Sequence, residues 1–592
     1  MVRITAPVDP VLEIAEITDR VTKAGGKALL FENTGTAFPV VTNLFGSERR
    51  MAMALGADSL GAIAAKLDGI IHGALSPKGS LAEKIQVVPL LAQAAKWFPK
   101  TTAGCGECQQ VVLRGDDARL SLLPVLKCWP CDGGRFITLP LVHTVHPETR
   151  VRNVGMYRMQ VFDDRSTGMH WHIHKTGARH YDAYRKAGIA RMPVSVCIGG
   201  DPAYTYAATA PMPEGMDEYL LAGFLREKPV RLVRCVTNDL YVPADCDFVI
   251  EGWVDTTELK TTEGPFGDHT GFYSLEDPYP VFHIEAITHR HGAVYPATIV
   301  GVPPQEDAYL ALATEKIFLA PIRLALQPEV RDLYMPEPGV SHNLAVISME
   351  TAYAGQPEKV AGGLWGAGQM MFNKYLIAAP ADAGIRDGDR LAGLLRGVDV
   401  SRDLFFGRGI LDVLDHATAT PGVGGKLLID ATVPKPERQL ELPAEFRLTN
   451  GIDSADDLLA EKWRALILRS EPAAKPDVAG FIAANKMGGI NLIAVFDSTT
   501  EGLTPYELLW LGTANTDPVR DISIIGGIAV ADCRSKVTKG DDMPQRFPNV
   551  VTMDEKTIAA VDRRWNEYGI GERIASPSVR YRKLLLSDKA GV

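Results

Sequence analysis

From about residue 137 to 300 the character of the sequence becomes β, and this stretch constrains the fold more than any other feature. Asn153–Phe162 alternates apolar and polar residues, Asp163–Gly168 reads as a loop, and Met169–Lys175 alternates again, the pattern of a hairpin. Val281–Thr288 and Val294–Val300, separated by Arg290-His291-Gly292, predict a second hairpin. Between them, Pro213–Arg226 starts acidic and turns apolar, as a helix does. The flanks are mixed. A helical spacing of Val11, Leu12, Ile14, Ile17 and Val21 is stopped by Gly25-Gly26. Strands are expected at Ala28–Phe31 and Val40–Phe45, and a helix around Leu81–Phe98. Leu310–Ala320 reads as a helix that Pro321 ends or kinks. Beyond it, the strand-like runs Tyr375–Ala378, Lys426–Ile429, Leu492–Phe496 and Ile522–Val530 alternate with helical ones. Pro434–Pro443 is a polar connector, and no fixed-period repeat is visible.

Composition excludes several classes. The 592 residues carry 62 Lys+Arg against 72 Asp+Glu, a net charge of −10, with no basic run. Nucleic-acid binding needs clustered cations, so it is not expected. No apolar run approaches the ~18 residues of a membrane helix. The opening residues are interrupted by acids and do not read as a secretory signal. Eight cysteines in so long a chain are no disulfide framework, which points to a cytoplasmic protein with reduced thiols.

Three constellations can carry chemistry. In Met169-His170-Trp171-His172-Ile173-His174 the even positions are all histidine, so a strand there presents an imidazole row on one face. Such a row suits metal binding or proton transfer, or is simply a solvated face. If Phe162 pairs with Met169, Tyr157 faces His174, Asn153 shares the face of Tyr157, and Arg158 points away. The second is Glu263-Gly-Pro-Phe-Gly-Asp268-His-Thr-Gly271, a glycine-punctuated loop with two carboxylates five apart. It reads either as an acid–base pair or as a surface turn whose acids cap backbone. The third is Cys105-x-x-Cys108 and Cys128-x-x-Cys131, a generic zinc-ribbon spacing that Trp129-Pro130 stiffens. Glu218, at a helix start, either complements the helix dipole or reaches inward as a ligand.

Taken together, Asn153-Val-Gly-Met-Tyr-Arg158, the segment ending at His174, Pro211-Met-Pro-Glu-Gly-Met-Asp-Glu218 and Glu263–Gly271 resemble the UbiD family of reversible aromatic-acid decarboxylases. Phe136–Pro140, Asn238-Asp239-Leu240 and Gly301–Asp307 fit as well. Gly409–His416, Gly424–Asp430, Arg546–Val551 and Ser576-Pro-Ser578 are similar to the long menaquinone-biosynthesis branch, so the resemblance covers nearly the whole chain. It implies an α/β (α+β) protein: an N-terminal α/β domain (1–130), a central split β-barrel binding flavin (131–325), and a C-terminal α/β oligomerisation domain with a helical tail (326–592). It implies prenylated FMN, supplied by a flavin prenyltransferase and held through a divalent metal, usually Mn²⁺, and K⁺. By motif, the metal ligands are Asn153, His174 and Glu218. The cofactor contacts are Met156, Tyr157, Arg158, His170, Trp171, His172, Lys175 and Thr176, with Lys374 as a further one. The catalytic trio is Arg158, Glu263 and Asp268, with Asp268 protonating the carbon that loses CO₂. Burial is expected to raise the pKa of that acid.

The chain departs from the pattern in three places: His170 stands where many relatives carry Arg, the paired cysteines are extra, and the last loop acid is Asp. The resemblance implies an aromatic carboxylic acid as substrate, preferably a dihydroxynaphthoate-type acid of menaquinone biosynthesis, and a homodimer or higher homo-oligomer. Competing readings are a decarboxylase or carboxylase of hydroxybenzoates or other (hetero)aromatic acids, a metal-dependent hydrolase on the His-x-His-x-His face, and a flavin-binding protein without catalysis.

Overall fold

The computed structural model describes residues 1–75 and 95–592; of the helix expected around Leu81–Phe98, residues 81–94 lie outside the described residues. The chain forms two compact units, Met1–Ile317 with Val551–Tyr581, and Phe318–Val550 with Arg582–Val592. Both mix helix and strand. Among the described residues no helix is long and apolar enough to cross a membrane.

The first unit opens with strand Val2–Pro7, helix Glu13–Lys23 and strand Leu29–Asn33, the two strands pairing in parallel. A parallel pair needs a crossover, which the helix supplies. Apolar Ile14, Ile17 and Val21 of this helix are buried, but so are Glu16, Asp19 and Arg20. The charged face is covered by Val551–Tyr581, a later segment of the same unit. Arg20 is fully buried and donates to Glu16 (2.7 Å), Asp562 (2.6 Å) and the carbonyl of Ile574 (2.9 Å).

The centre of the unit is a nine-stranded antiparallel sheet. Its order is Phe136–Ile137, Met159–Asp163, Ser166–Gly168, Val281–His289, Phe248–Asp255, Arg191–Ile198, Leu141–Val145, Arg152–Met156, with Val111–Arg114 added to Val281–His289. Arg152–Met156 and Met159–Asp163 lie near opposite ends of that order, yet only Tyr157 and Arg158 separate them in the chain. Three Cα steps reach ~11 Å at most. The sheet must therefore curl until its ends nearly meet, giving a split β-barrel with Tyr157 and Arg158 at the seam. Ile137 and Leu141, joined by three residues, impose the same closure.

Several local expectations change. The 153–162 stretch is broken at the seam, and the hairpin register pairs Asp163 with Ser166 and Val161 with Thr167 across a bulge, not Phe162 with Met169. Met169–Lys175 is not a strand. Gly168 pairs with Val281, but the next partners on that side are Pro280 and Pro278, which have no N–H to continue the ladder. The segment turns instead (Lys175 N to His172 O, 2.9 Å) and Ile173 is 75% exposed, so no histidine row faces a buried apolar row. The hydrolase reading loses its basis with that row. The second hairpin is also absent: Tyr295–Pro296 leaves for the N-terminal sheet and pairs in parallel with Val40–Thr42. The helix expected from Pro213 begins at Glu218, capped by Asp217. Pro321 sits inside helix Asp307–Ala325 and does not end it.

The second unit holds two five-stranded sheets on either side of the 434–443 connector. One has the order Val330–Tyr334, Leu344–Met349, Tyr375–Pro380, Val423–Asp430, Leu404–Ile410; the other Ser454–Asp456, Ala465–Ser470, Leu492–Asp497, Ile528–Asp532, Ile522–Ile525. In each, three parallel strands are flanked by two antiparallel edges in the same chain order. The topology is thus repeated, although the sequence shows no fixed period.

Arg20→Ala leaves Glu16 without its buried counter-ion, while Asp562 keeps Arg573, and we expect it to cost about 3–5 kcal/mol. Urea unfolding checks this; an unchanged midpoint would remove the Val551–Tyr581 clasp from the stability argument.

Candidate active site

Arg158, at the barrel seam, points its guanidinium at the 263–271 loop. Nε and Nη2 donate to Oε1 and Oε2 of Glu263, both at 3.0 Å, and Nη1 donates to Oδ2 of Asp268. A guanidinium is a rigid planar fork, so gripping Glu263 with one edge leaves Nη1 aimed in a fixed direction. The Phe266 ring lies 4.7 Å and the Phe136 ring 5.9 Å from the guanidinium carbon. The Arg158, Glu263 and Asp268 side chains are each at most 10% exposed.

The loop is shaped by short pairings and by a cradle that sequence reasoning did not assign. Thr261–Glu263 pairs with Asp277–Tyr279, and Phe266–Gly267 with Tyr273–Ser274. Asp132 Oδ1 accepts from Gly267 N (2.8 Å), and its Oδ2 from Cys128 N (3.1 Å) and Trp129 N (2.8 Å). Gln160 Oε1 accepts from Gly264 N (2.7 Å). Gly133 is required here: a Cβ would stand 2.2 Å from the Gly264 carbonyl oxygen. The Asp132-Gly133-Gly134 turn signal was the available clue. The second cysteine pair belongs to this cradle and not to a zinc ribbon. Burial pushes the Cys108 and Cys128 thiols up. Among the described residues no three His, Cys, Asp or Glu side chains are placed to hold a metal.

The electrostatics follow from one cation between two acids. Burial pushes Glu263 up, but the Arg158 charge and the His170 hydrogen bond outweigh it and hold the carboxyl at about 2. Burial pushes Asp268 up as well, yet Arg158 and His269 hold it well below the usual carboxylate range. The expected raised pKa of Asp268 is therefore not found, because these two partners outweigh burial. Its Oδ1 accepts from His269 N (2.8 Å) and pairs with His269 Nδ1 (3.0 Å). His170 Nδ1 is 3.0 Å from Glu263 Oε2, His172 Nε2 is 2.5 Å from His170 Nε2, and the Tyr279 ring lies 4.3 Å from that of His170. Burial and Arg158 lower the pKa of His170, so it stands neutral beside Glu263.

The other sequence-predicted residues fall around the seam. Glu218 Oε2 accepts from Val154 N (2.9 Å), which sets it beside Asn153. Burial pushes the Glu218 carboxyl up to about 7, only partly offset by backbone N–H groups. Its neighbour Arg152 is taken by Asp217. Tyr157 is buried, and Gly177 N reaches its hydroxyl at 3.4 Å, tying the turn that carries His174, Lys175 and Thr176 to the seam. Trp171 packs against Gly177, where a Cβ would come within 2.6 Å of Nε1. That Nε1 is buried with no hydrogen-bond partner among the described residues. Met156 is half-buried at the end of its strand. Lys374 lies in the second unit, fully buried, with Nζ on Asp415 (2.6 Å) and the Thr516 carbonyl (2.9 Å).

Three family models match the chain: the 3-octaprenyl-4-hydroxybenzoate carboxy-lyase N-terminal domain over residues 1–67, its Rift-related domain over 100–303 and its C-terminal domain over 308–431. An uncharacterised protein of Archaeoglobus fulgidus is 44% identical over 435 residues, 73% of this chain and 88% of its own. Vanillic acid decarboxylase of Sedimentibacter hydroxybenzoicus, in closed form, is 27% identical, with a TM-score of 0.63 over 77% of this chain and 93% of that one. An evolved dimeric form of the UbiD-class enzyme HmfF from Pelotomaculum thermopropionicum, in complex with prFMN, is 25% identical, with a TM-score of 0.59 over 74% and 93%.

Because the Glu263 pKa is depressed on folding, its stabilising contribution is present above about pH 4.5 and lost as pH falls through about 2. Glu263→Gln should therefore be destabilised by a few kcal/mol at pH 6 and much less at pH 3. Chemical denaturation at both pH values checks this; a gap that widened in acid would reverse the sign.

Proposed function

We propose that this chain, which belongs to the UbiD family of carboxy-lyases, removes CO₂ reversibly from an aromatic carboxylic acid using prenylated FMN, with a dihydroxynaphthoate-type acid of menaquinone biosynthesis as preferred substrate. The carrying observation is that one buried guanidinium is shared between two carboxylates, gripping Glu263 with two nitrogens and Asp268 with one. The cofactor, when bound, supplies the electron sink that side chains lack. The remaining work falls to the chain.

Glu263 holds Arg158 in place, and neutral His170 supports Glu263. A substrate carboxylate that takes the Nη1 arm of Arg158 displaces Asp268 from its counter-ion. Burial then dominates the Asp268 carboxyl and favours its protonated form, which gives its proton to the carbon that CO₂ leaves. The depressed pKa of Asp268 beside Arg158 and its acid role are thus two settings of one shared cation. Reversal follows by the same groups, with Asp268 taking the proton back.

Asn153, His174 and Glu218 offer two oxygens and an imidazole, a donor set suited to Mn²⁺. A cation there would also neutralise Glu218, which burial otherwise drives toward its protonated form. The start of helix Thr176–Lys186, with Lys175 before it, suits the cofactor phosphate. The resemblance adds K⁺, a flavin prenyltransferase as cofactor donor, homo-oligomerisation and a cytoplasmic location to this reading. It also keeps the division at residues 130 and 325.

Protein reconstituted with prenylated FMN and Mn²⁺ is expected to release CO₂ from dihydroxynaphthoic acids faster than from hydroxybenzoic acids; release from none of these acids would end the proposal. Arg158→Ala should lower turnover at least about 100-fold with flavin retained. His174→Ala should lose flavin together with the metal, read by absorbance and metal analysis; full flavin occupancy in that variant would contradict the ligand assignment.

A further inference from the structure

A group that hands a proton to carbon in every turnover must recover one, and Asp268 is poorly placed to do so from water, its side chain being 10% exposed. Both of its oxygens are occupied by the chain itself. Oδ2 faces Arg158 Nη1, and a guanidinium stays protonated and delivers nothing. Oδ1 faces two nitrogens of His269: the backbone N–H at 2.8 Å, which is also not a proton source, and ring Nδ1 at 3.0 Å. An imidazole exchanges protons near neutrality, and its second nitrogen lets a proton enter on one side and leave on the other. The His269 side chain is 25% exposed, against 10% for Asp268, so of the groups on Asp268 that can exchange a proton this ring is the one with access to water. Glu263 is also backed by an imidazole, but His170 lies under Arg158 and Tyr279, with a side-chain exposure of 9%.

We infer that His269 is the relay through which Asp268 takes up from solvent the proton it spends in each turnover. In the step, the Asp268 O–H bond breaks as the C–H bond forms. The carboxylate then takes the Nδ1 proton of His269, and the imidazole regains one proton from water. No electrons are exchanged with an outside partner. The inference rests on the reading of Asp268 as the acid.

The test uses flavin-loaded enzyme. His269→Ala and His269→Asn should each lose about 100-fold in turnover while keeping the flavin absorbance of the parent. Added imidazole should restore the alanine variant about tenfold and leave Asp268→Asn unmoved. Asparagine can donate a hydrogen bond to Asp268 but cannot pass a proton on, so a near-normal rate in His269→Asn would reduce His269 to a positioning residue and overturn the relay. Failure of imidazole to raise the rate of a flavin-loaded alanine variant would overturn it too. Full turnover in Asp268→Asn would instead refute the acid assignment beneath it. A readout free of turnover keeps the idea testable if a variant does not fold: in protein labelled with ¹⁵N-histidine and free of cofactor, the His269 Nδ1 proton should be visible and shift in Asp268→Asn. An Nδ1 without a proton would contradict the relay.

Discussion

One buried guanidinium carries the site. Arg158 brings a single positive charge to two carboxylates, so the trio holds a net charge of −1 in a place that water hardly reaches. The surplus is tolerated because each acid has a second donor: an imidazole on Glu263, and an imidazole with a backbone N–H on Asp268. Such a balance is poised. Adding a substrate carboxylate would bring a second unneutralised charge into the same cavity, and the least costly response is proton uptake by one of the acids. Glu263, gripped by two nitrogens, is the harder to release. Asp268, held through one, is the easier, and it is also the acid with an imidazole leading outward.

This balance requires the three groups to meet accurately, and two structural devices arrange that. The barrel seam interrupts the ladder at Tyr157 and Arg158, so the arginine side chain is freed from the alternation of a strand and can turn toward the loop. The loop is clamped from below by Asp132 and Gln160, whose carboxylate and amide oxygens bind the Gly267 and Gly264 N–H groups. Asp132 is as buried as the acids whose loop it anchors, and burial raises its pKa to about 7 against three backbone N–H donors. Glycine at 133 permits the close backbone approach that this clamp needs.

The motif residues were legible because each set is local. Glu263 and Asp268 are five residues apart on one punctuated turn, and Asn153 through Arg158 are contiguous. Glu218 at a helix start was legible as well, although the cap is Asp217 and the stretch from Pro213 before it is not helical. What misled was periodicity. The alternation of His170, His172 and His174 predicts a strand, but a strand needs a neighbour with free N–H groups, and Pro278 and Pro280 withhold them. The second hairpin failed for a related reason: a strand's partner is chosen by what lies beside it in space, and Tyr295–Pro296 finds the N-terminal sheet. The repeated topology of the second unit left no period in the sequence, because strand order can persist when loop lengths do not.

By itself the sequence determined the mixed α/β character, the β-rich centre, and which residues are chemically able to act, since these depend on residue type and on neighbours a few positions away. Tertiary structure alone decided that Arg158 stands at a barrel seam, that Asp132 anchors the acid loop, that the helix Glu13–Lys23 buries its charges under a returning C-terminal segment, and that Arg158 holds the Asp268 carboxyl below the usual carboxylate range. Those outcomes depend on burial and on charges brought close across more than 100 positions of chain, and proton affinity is set by that surrounding field and not by the residue's own identity.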